Sequence, residues 1–198
     1  MKHFLILSLF LSGIVFLSYG QMKGGLKAGA NLSTIIVTKS GDVLNDETYS
    51  GRFSFHAGSY IQQHFTDQLL WQIELLFSNK GYKKEVEGET INVSLNYLNW
   101  PILLIYKPFK VVEFEFGPEL GYMITGEEIL NSFDFGIDFG ARFNISDKLN
   151  AGLRYSYGLP FNMDLEGTDA EGYDVTYQNS VLQIYLGFNL FNESAEKK

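Results

Sequence analysis

The chain has 198 residues and not one cysteine. That excludes disulfides, thiolate metal sites, a cysteine nucleophile and a lipid-modified N-terminal cysteine. Basic residues are scarce, 15 Lys and Arg against 23 Asp and Glu, for a formal net charge of -8. A nucleic-acid binder would normally carry a basic stripe, so that class is set aside. Beyond residue 20 no apolar run is long enough for a transmembrane helix of about 20 residues. What the chain does have is 20 glycines and 16% aromatic residues, a combination that favours β-structure and one domain of ordinary size.

The first residues form an export signal. Met1-Lys2-His3 is a short basic start, 4–17 is almost wholly apolar, and Ser18-Tyr19-Gly20 places small residues before a cleavage point. The apolar run is short for a membrane anchor. Cleavage after Gly20 leaves 21–198, and loss of Lys2 takes the formal charge from -8 to -9.

The remainder alternates with period two. In 133–145, Phe133, Phe135, Ile137, Phe139, Ala141, Phe143 and Ile145 share one face, opposite Asp134, Gly136, Asp138, Gly140, Arg142 and Asn144. A helix would scatter both sets around its axis, whereas a strand separates them. The pattern recurs from Leu149 to Leu159, from Val181 to Leu190, from Glu113 to Tyr122 and from Trp71 to Ser78, with weaker versions in 24–38, 51–65 and 91–106. In the last of these Leu98, Trp100, Ile102 and Leu104 form the outward set. Eight segments, most of them about 10 residues or longer, match tilted membrane-crossing strands. Trp71, Trp100, Tyr97, Tyr106, Tyr155 and Tyr157 are candidates for interfacial girdles.

The connections also alternate. Three are short, at Thr66-Asp67-Gln68, Lys107-Pro108-Phe109-Lys110 and Ser146-Asp147-Lys148. Four are longer or more polar, at 39–50, 81–90, 126–131 and 161–178. Tight periplasmic turns and longer external loops are the arrangement of an outer-membrane barrel with both termini periplasmic. The sequence therefore predicts an all-β protein, an eight-stranded antiparallel up-and-down transmembrane β-barrel. It divides into a cleaved signal peptide (1–20), a barrel domain (21–191) and a polar tail (192–198).

Five stretches carry a resemblance. Gly25-Leu26-Lys27-Ala28-Gly29-Ala30-Asn31-Leu32-Ser33 is similar to the opening strand of the PorT-like outer-membrane β-barrel proteins of Bacteroidetes. The run from Trp71 to Gly81 (WQIELLFSNKG) resembles that family's third strand. Tyr97-Leu98-Asn99-Trp100-Pro101-Ile102-Leu103-Leu104 resembles its YLEIPLLLK segment, and Gly117-Pro118-Glu119-Leu120-Gly121-Tyr122 its GPxxGY segment. The stretch ending Arg154-Tyr155-Ser156-Tyr157-Gly158-Leu159 is similar to its seventh strand. Asn99 stands where the family often has Glu, which removes one lumen charge. The resemblance implies an outer-membrane barrel domain of mostly unassigned activity. The namesake's link to gliding and type IX secretion is not carried over to this chain.

The polar face gathers Glu74, Glu113, Glu115, Glu119, Asp134 and Asp138 with Lys27, Arg142 and Arg154. Inside a narrow barrel these charges must be paired or neutralised, and an eight-stranded interior is about wide enough for side chains to fill. The expectation is a lumen plugged by a charged network, the alternative a narrow pore or proton path lined by the same residues. The i, i+2 spacing of Glu113 and Glu115 follows from strand periodicity and is no glycosidase signature. His56 is the one plausible base for an outer-membrane lipid-modifying enzyme such as a lipid A acylhydrolase, since His64 adjoins a short turn. Asp164, Glu166, Asp169, Glu171 and Asp174 lack EF-hand spacing and read as a solvated loop. No metal site and no cofactor is expected. The expected setting is outer-membrane lipid, as a monomer, with protein or glycan partners at the external loops and no nucleic acid. A soluble lipocalin-like binding barrel is the competing architecture, and it would turn its apolar face inward.

Overall fold

A computed structural model describes residues 22–39, 42–44, 49–86, 88–125, 133–159, 167–168 and 174–192. The expected export signal and the end of the tail lie outside these residues. Eight long strands follow one another: β1 (Met22–Lys39), β2 (Arg52–His64), β3 (Leu69–Val86), β4 (Glu89–Tyr106), β5 (Val112–Thr125), β6 (Phe133–Asn144), β7 (Leu149–Gly158) and β8 (Asp174–Asn192). Each pairs antiparallel with the next, and β8 pairs with β1 to close the ring. Three short strands lie at the long-loop end: Asp42–Leu44 on β1, Tyr49–Ser50 on β3 and Gly167–Thr168 on β8.

The register fixes the shape. Paired residues run from Met22 through Gln63, Trp71, Leu104, Phe116, Phe139, Tyr155 and Leu182 to Leu32. One circuit thus returns to β1 ten residues further along. A stagger of that size over eight strands tilts them by about 40° to the axis and leaves an interior that side chains can span. The shortest long strand has 10 residues and the longest 19, enough to cross a hydrocarbon layer at that tilt.

Alternation becomes an inside and an outside. Leu26, Leu75, Ile102, Leu104, Phe114, Phe116, Phe139, Leu153, Leu182, Ile184 and Leu186 are exposed on the outer wall. The residues between them are buried, many of them polar or charged. Such an apolar surface would aggregate in water and suits lipid. No helix among the described residues is long and apolar enough to cross a membrane; the crossing elements are strands. Tyr97 departs from the girdle expectation. It lies on the inner face of β4, buried with Leu95 and Met123, because its neighbours Leu98 and Trp100 take the outward positions.

Two of the three short turns share a local device. Thr66 Oγ1 accepts the backbone N–H groups of Gln68 and Leu69 at 3.3 and 3.0 Å, and Ser146 Oγ does the same for Lys148 and Leu149 at 3.3 and 3.1 Å. A hydroxyl followed by Asp thus supplies an acceptor that a tight turn would otherwise take from water. At the other end, the predicted loop 81–90 is mostly strand. The β3–β4 ladder continues to Val86↔Glu89, with Gly88 at φ 84° at its tip. The alternation weakens there, where Lys83, Lys84, Glu85 and Glu89 are set among Tyr82, Val86, Ile91 and Val93, while backbone pairing continues regardless of side chains.

Candidate functional site

The charged residues of the inner face meet across the lumen. Arg154 on β7 donates to Glu74 on β3 through Nη1 and Nη2, at 2.9 and 2.8 Å. Those strands are four positions apart on a ring of eight, so the guanidinium reaches the opposite wall. It also donates to Glu115 on β5 through Nε and Nη2, at 2.8 and 2.9 Å. Lys27 on β1 donates to Glu74 Oε1 at 2.5 Å and stands 3.8 Å from the centroid of the Tyr185 ring. Tyr185 on β8 donates its hydroxyl to Glu115 at 3.0 Å. Asp138 is at the edge of this group, with Oδ2 3.5 Å from Arg154 Nη1.

A second group lies toward the short-turn end. Arg142 donates to Glu113 at 2.5 Å and to Gln72 Oε1 at 2.7 Å, and Gln72 donates to Glu74, which links the two groups. Asn144 donates to the other oxygen of Glu113 at 2.8 Å, and Lys107 approaches that oxygen to 3.5 Å from the rim. A third group lies toward the long-loop end. Lys80 donates to Glu119 at 2.9 Å and to Asp134 at 3.4 Å, and Asn179 donates to Asp134 at 2.8 Å. Multiple charge-assisted hydrogen bonds of this kind offset the cost of taking ions out of water.

The nine residues picked from the sequence therefore fall into these three groups. Lys80 was not among them. It is 1% exposed and carries the third group, 4.9 Å from the Tyr97 ring centroid. The signal was present, since Lys80 continues the inward series Gln72, Glu74, Leu76, Ser78, but the polar run after it reads as a loop. His56 is buried, with Nδ1 2.6 Å from Asn31 Oδ1 and its ring edge toward Tyr185. The acidic stretch 164–166 and 169–171 lies outside the described residues. Among the described residues no group of three or more His, Asp or Glu could hold a metal ion.

A lipocalin-like barrel would place its apolar face inside; here the inner face holds the ions and the outer face the Phe, Leu and Ile. A family profile for the outer membrane protein beta-barrel domain matches residues 20–160. The chain belongs to that family. It is an integral β-barrel protein of the cell outer membrane. The match ends before β8, which closes the ring.

Among solved structures, Ail, the attachment invasion locus protein of Yersinia pestis, in complex with the heparin analogue sucrose octasulfate, is 13% identical. The alignment covers 85% of this chain and 99% of that one, with a TM-score of 0.47. OprG from Pseudomonas aeruginosa is 11% identical over 86% and 95% of the two chains, TM-score 0.46. Neisserial surface protein A is 10% identical over 83% and 97%, TM-score 0.45. No curated protein matches the chain at a significant level.

Proposed function

We propose that this outer-membrane barrel has a structural or interaction role, with a lumen closed to solutes and with its partners met at the long-loop end. The observation that carries the reading is the contact from Arg154 to Glu74 across the ring, reinforced by Glu115 and Lys27. Side chains that bond from opposite walls leave no continuous aqueous column at that level, and a pore needs one. The reading treats the barrel as a monomer surrounded by outer-membrane lipid and as no enzyme. His56, the single candidate base, bonds to an asparagine and not to a hydroxyl or carboxylate.

In this reading the long-loop end is external. The β3–β4 ribbon there projects Lys83, Lys84 and Glu85, with the short strand Tyr49–Ser50 alongside, and protein or glycan partners would meet that edge. The five motifs in order support a place among PorT-like barrels of Bacteroidetes. The decisive experiment is conductance of the purified full-length barrel in a planar lipid bilayer. The expected result is a baseline without steady steps. Uniform steps that persist across preparations would replace the plug with a pore.

A further inference from the structure

We propose that the mouth of the lumen at the short-turn end is a binding site for a phosphate group carried by a soluble molecule. The site goes beyond the plug reading and holds whichever compartment that end faces. A cavity of about 180 Å³ opens there, framed by Lys23 on β1, Glu113 on β5, Arg142 on β6 and the turn residues Lys107, Lys110 and Asp147. Four cations thus face two acids, a local positive excess in a chain whose formal net charge is -8. Glu113 is already held by Arg142 at 2.5 Å and by Asn144 at 2.8 Å. Among the described residues neither Lys23 nor Lys110 closes an ion pair, and Lys107 reaches only a Glu113 oxygen, at 3.5 Å. Lys23 meets Lys107 and Arg142 as like charges, and Glu113 and Asp147 as opposite ones. Cations that converge on one space attract an anion into it.

A second observation is independent of charge: the frame around the cavity is pinned. Lys107 donates its backbone N–H to the Gln68 carbonyl, and Asn144 donates its own to the Val111 carbonyl, both at 2.8 Å. These bonds tie the turn that carries Lys107 and Lys110 to the turn beside it and to the end of β6. Asn189 donates its backbone N–H to the Lys148 carbonyl at 2.8 Å and its side-chain amide to the Asp147 carbonyl at 2.7 Å, which fixes the third turn. The backbones that carry the lysines are therefore set before a ligand arrives, and less ordering entropy opposes binding. The lining also reaches inward to Arg142, which is 3% exposed. Its fork carries five N–H donors. Glu113 takes those nearest to it and Gln72 takes one more, so the guanidinium is not exhausted.

The donors favour phosphate over carboxylate. A planar carboxylate is best matched by a free guanidinium fork, and the Arg142 fork is turned to Glu113. What remains is a set of lysine ammonium groups around the cavity, point charges that suit a tetrahedral group with oxygens in several directions. Ser146 adds a neutral donor. Its oxygen accepts the N–H groups of Lys148 and Leu149, and its own proton has no acceptor among the described residues. A water takes up about 30 Å³ of the liquid, so the cavity holds a phosphate with part of its hydration. Lys23, Glu113, Asn144 and Asn150 all belong to inward faces, so the opening lies inside the ring. Lipid headgroups stand against the outside of the wall. A soluble phosphate or phosphate ester is therefore the ligand.

The test is phosphorus NMR of inorganic phosphate titrated with the purified full-length barrel in nonionic detergent, at neutral pH and with ionic strength held by sodium chloride. The expected result is saturable line broadening, weakened about tenfold by Lys23→Gln combined with Lys110→Gln, as for lost hydrogen bonds to a charged group. Lys83→Gln with Lys84→Gln removes the same charge at the opposite end and should leave binding unchanged. None of these four lysines belongs to the buried network, so both variants keep the fold. Equal weakening by the two pairs would reduce the effect to overall charge and overturn the site, as would broadening that never saturates. Displacement of phosphate by phosphatidylglycerol added to the micelles would overturn the soluble source. Glu193 and Glu196 follow β8, whose last residue Asn192 pairs with Lys23. A barrel ending at Asn192 should bind phosphate as the full chain does; much tighter binding would give the site to those two acids and overturn an external ligand.

Discussion

The two faces of the wall obey opposite rules although the same strands build both. On the outer face any apolar side chain serves, because lipid is a uniform solvent; on the inner face the charged groups depend on particular partners, from the adjacent strand for Arg142 to the opposite wall for Arg154. The outer face should therefore tolerate exchange among Phe, Leu and Ile, and the inner face should be sensitive residue by residue. In this barrel hydrophobicity sets location and ion pairing sets the interior.

The largest effect should come from Arg154→Met. It leaves Glu74, Glu115 and Asp138 facing each other without their shared cation, and unpairing a buried ion costs about 3–5 kcal/mol. Urea unfolding of the barrel in lipid vesicles measures it; a loss below about 1 kcal/mol would show the interior to be as forgiving as the outer wall. Next comes Phe139→Arg, which puts a charge into lipid near mid-wall, at about 2–4 kcal/mol by the same assay. Insensitivity there would place Phe139 outside the hydrocarbon layer. Gly88→Ala should cost about 1 kcal/mol from backbone strain alone, since φ is 84° and no atom lies within 4 Å of the added Cβ. The smallest effect should be Lys107→Ala. This lysine approaches the carboxylate that Arg142 holds, but from a rim position with its side chain 25% exposed, and such pairs contribute at most about 1 kcal/mol. A double-mutant cycle with Glu113→Gln measures the coupling, and a value rivalling that of Arg142 would erase the distinction between rim and interior.

The sequence carried one half of this comparison well. Period two in 133–145 separates the faces without ambiguity, and the outward sets of β3, β4, β5, β7 and β8 read off it correctly. Partners were not legible. Arg154 and Glu74 are 80 residues apart, and only closure of the ring with its stagger brings them together. Lys80 was missed because hydrophobic alternation fades after Ser78 while the β3–β4 pairing runs on to Val86↔Glu89. The same fading made a loop of 81–90. Tyr97 was assigned to the wrong face for a different reason: an aromatic ring suits a membrane interface and a crowded lumen equally well, and composition cannot choose between them.

The pairing of β1 with β8 also bears on how the protein is made. The first strand finds its second partner only in the last strand of the chain, so until residues 174–192 have crossed the inner membrane the nascent wall has two open edges. Each edge presents unpaired backbone groups that invite another chain, which is the hazard chaperones guard against. A chain lacking β8 would keep both edges open, and its exposed strands would be free to pair with another copy.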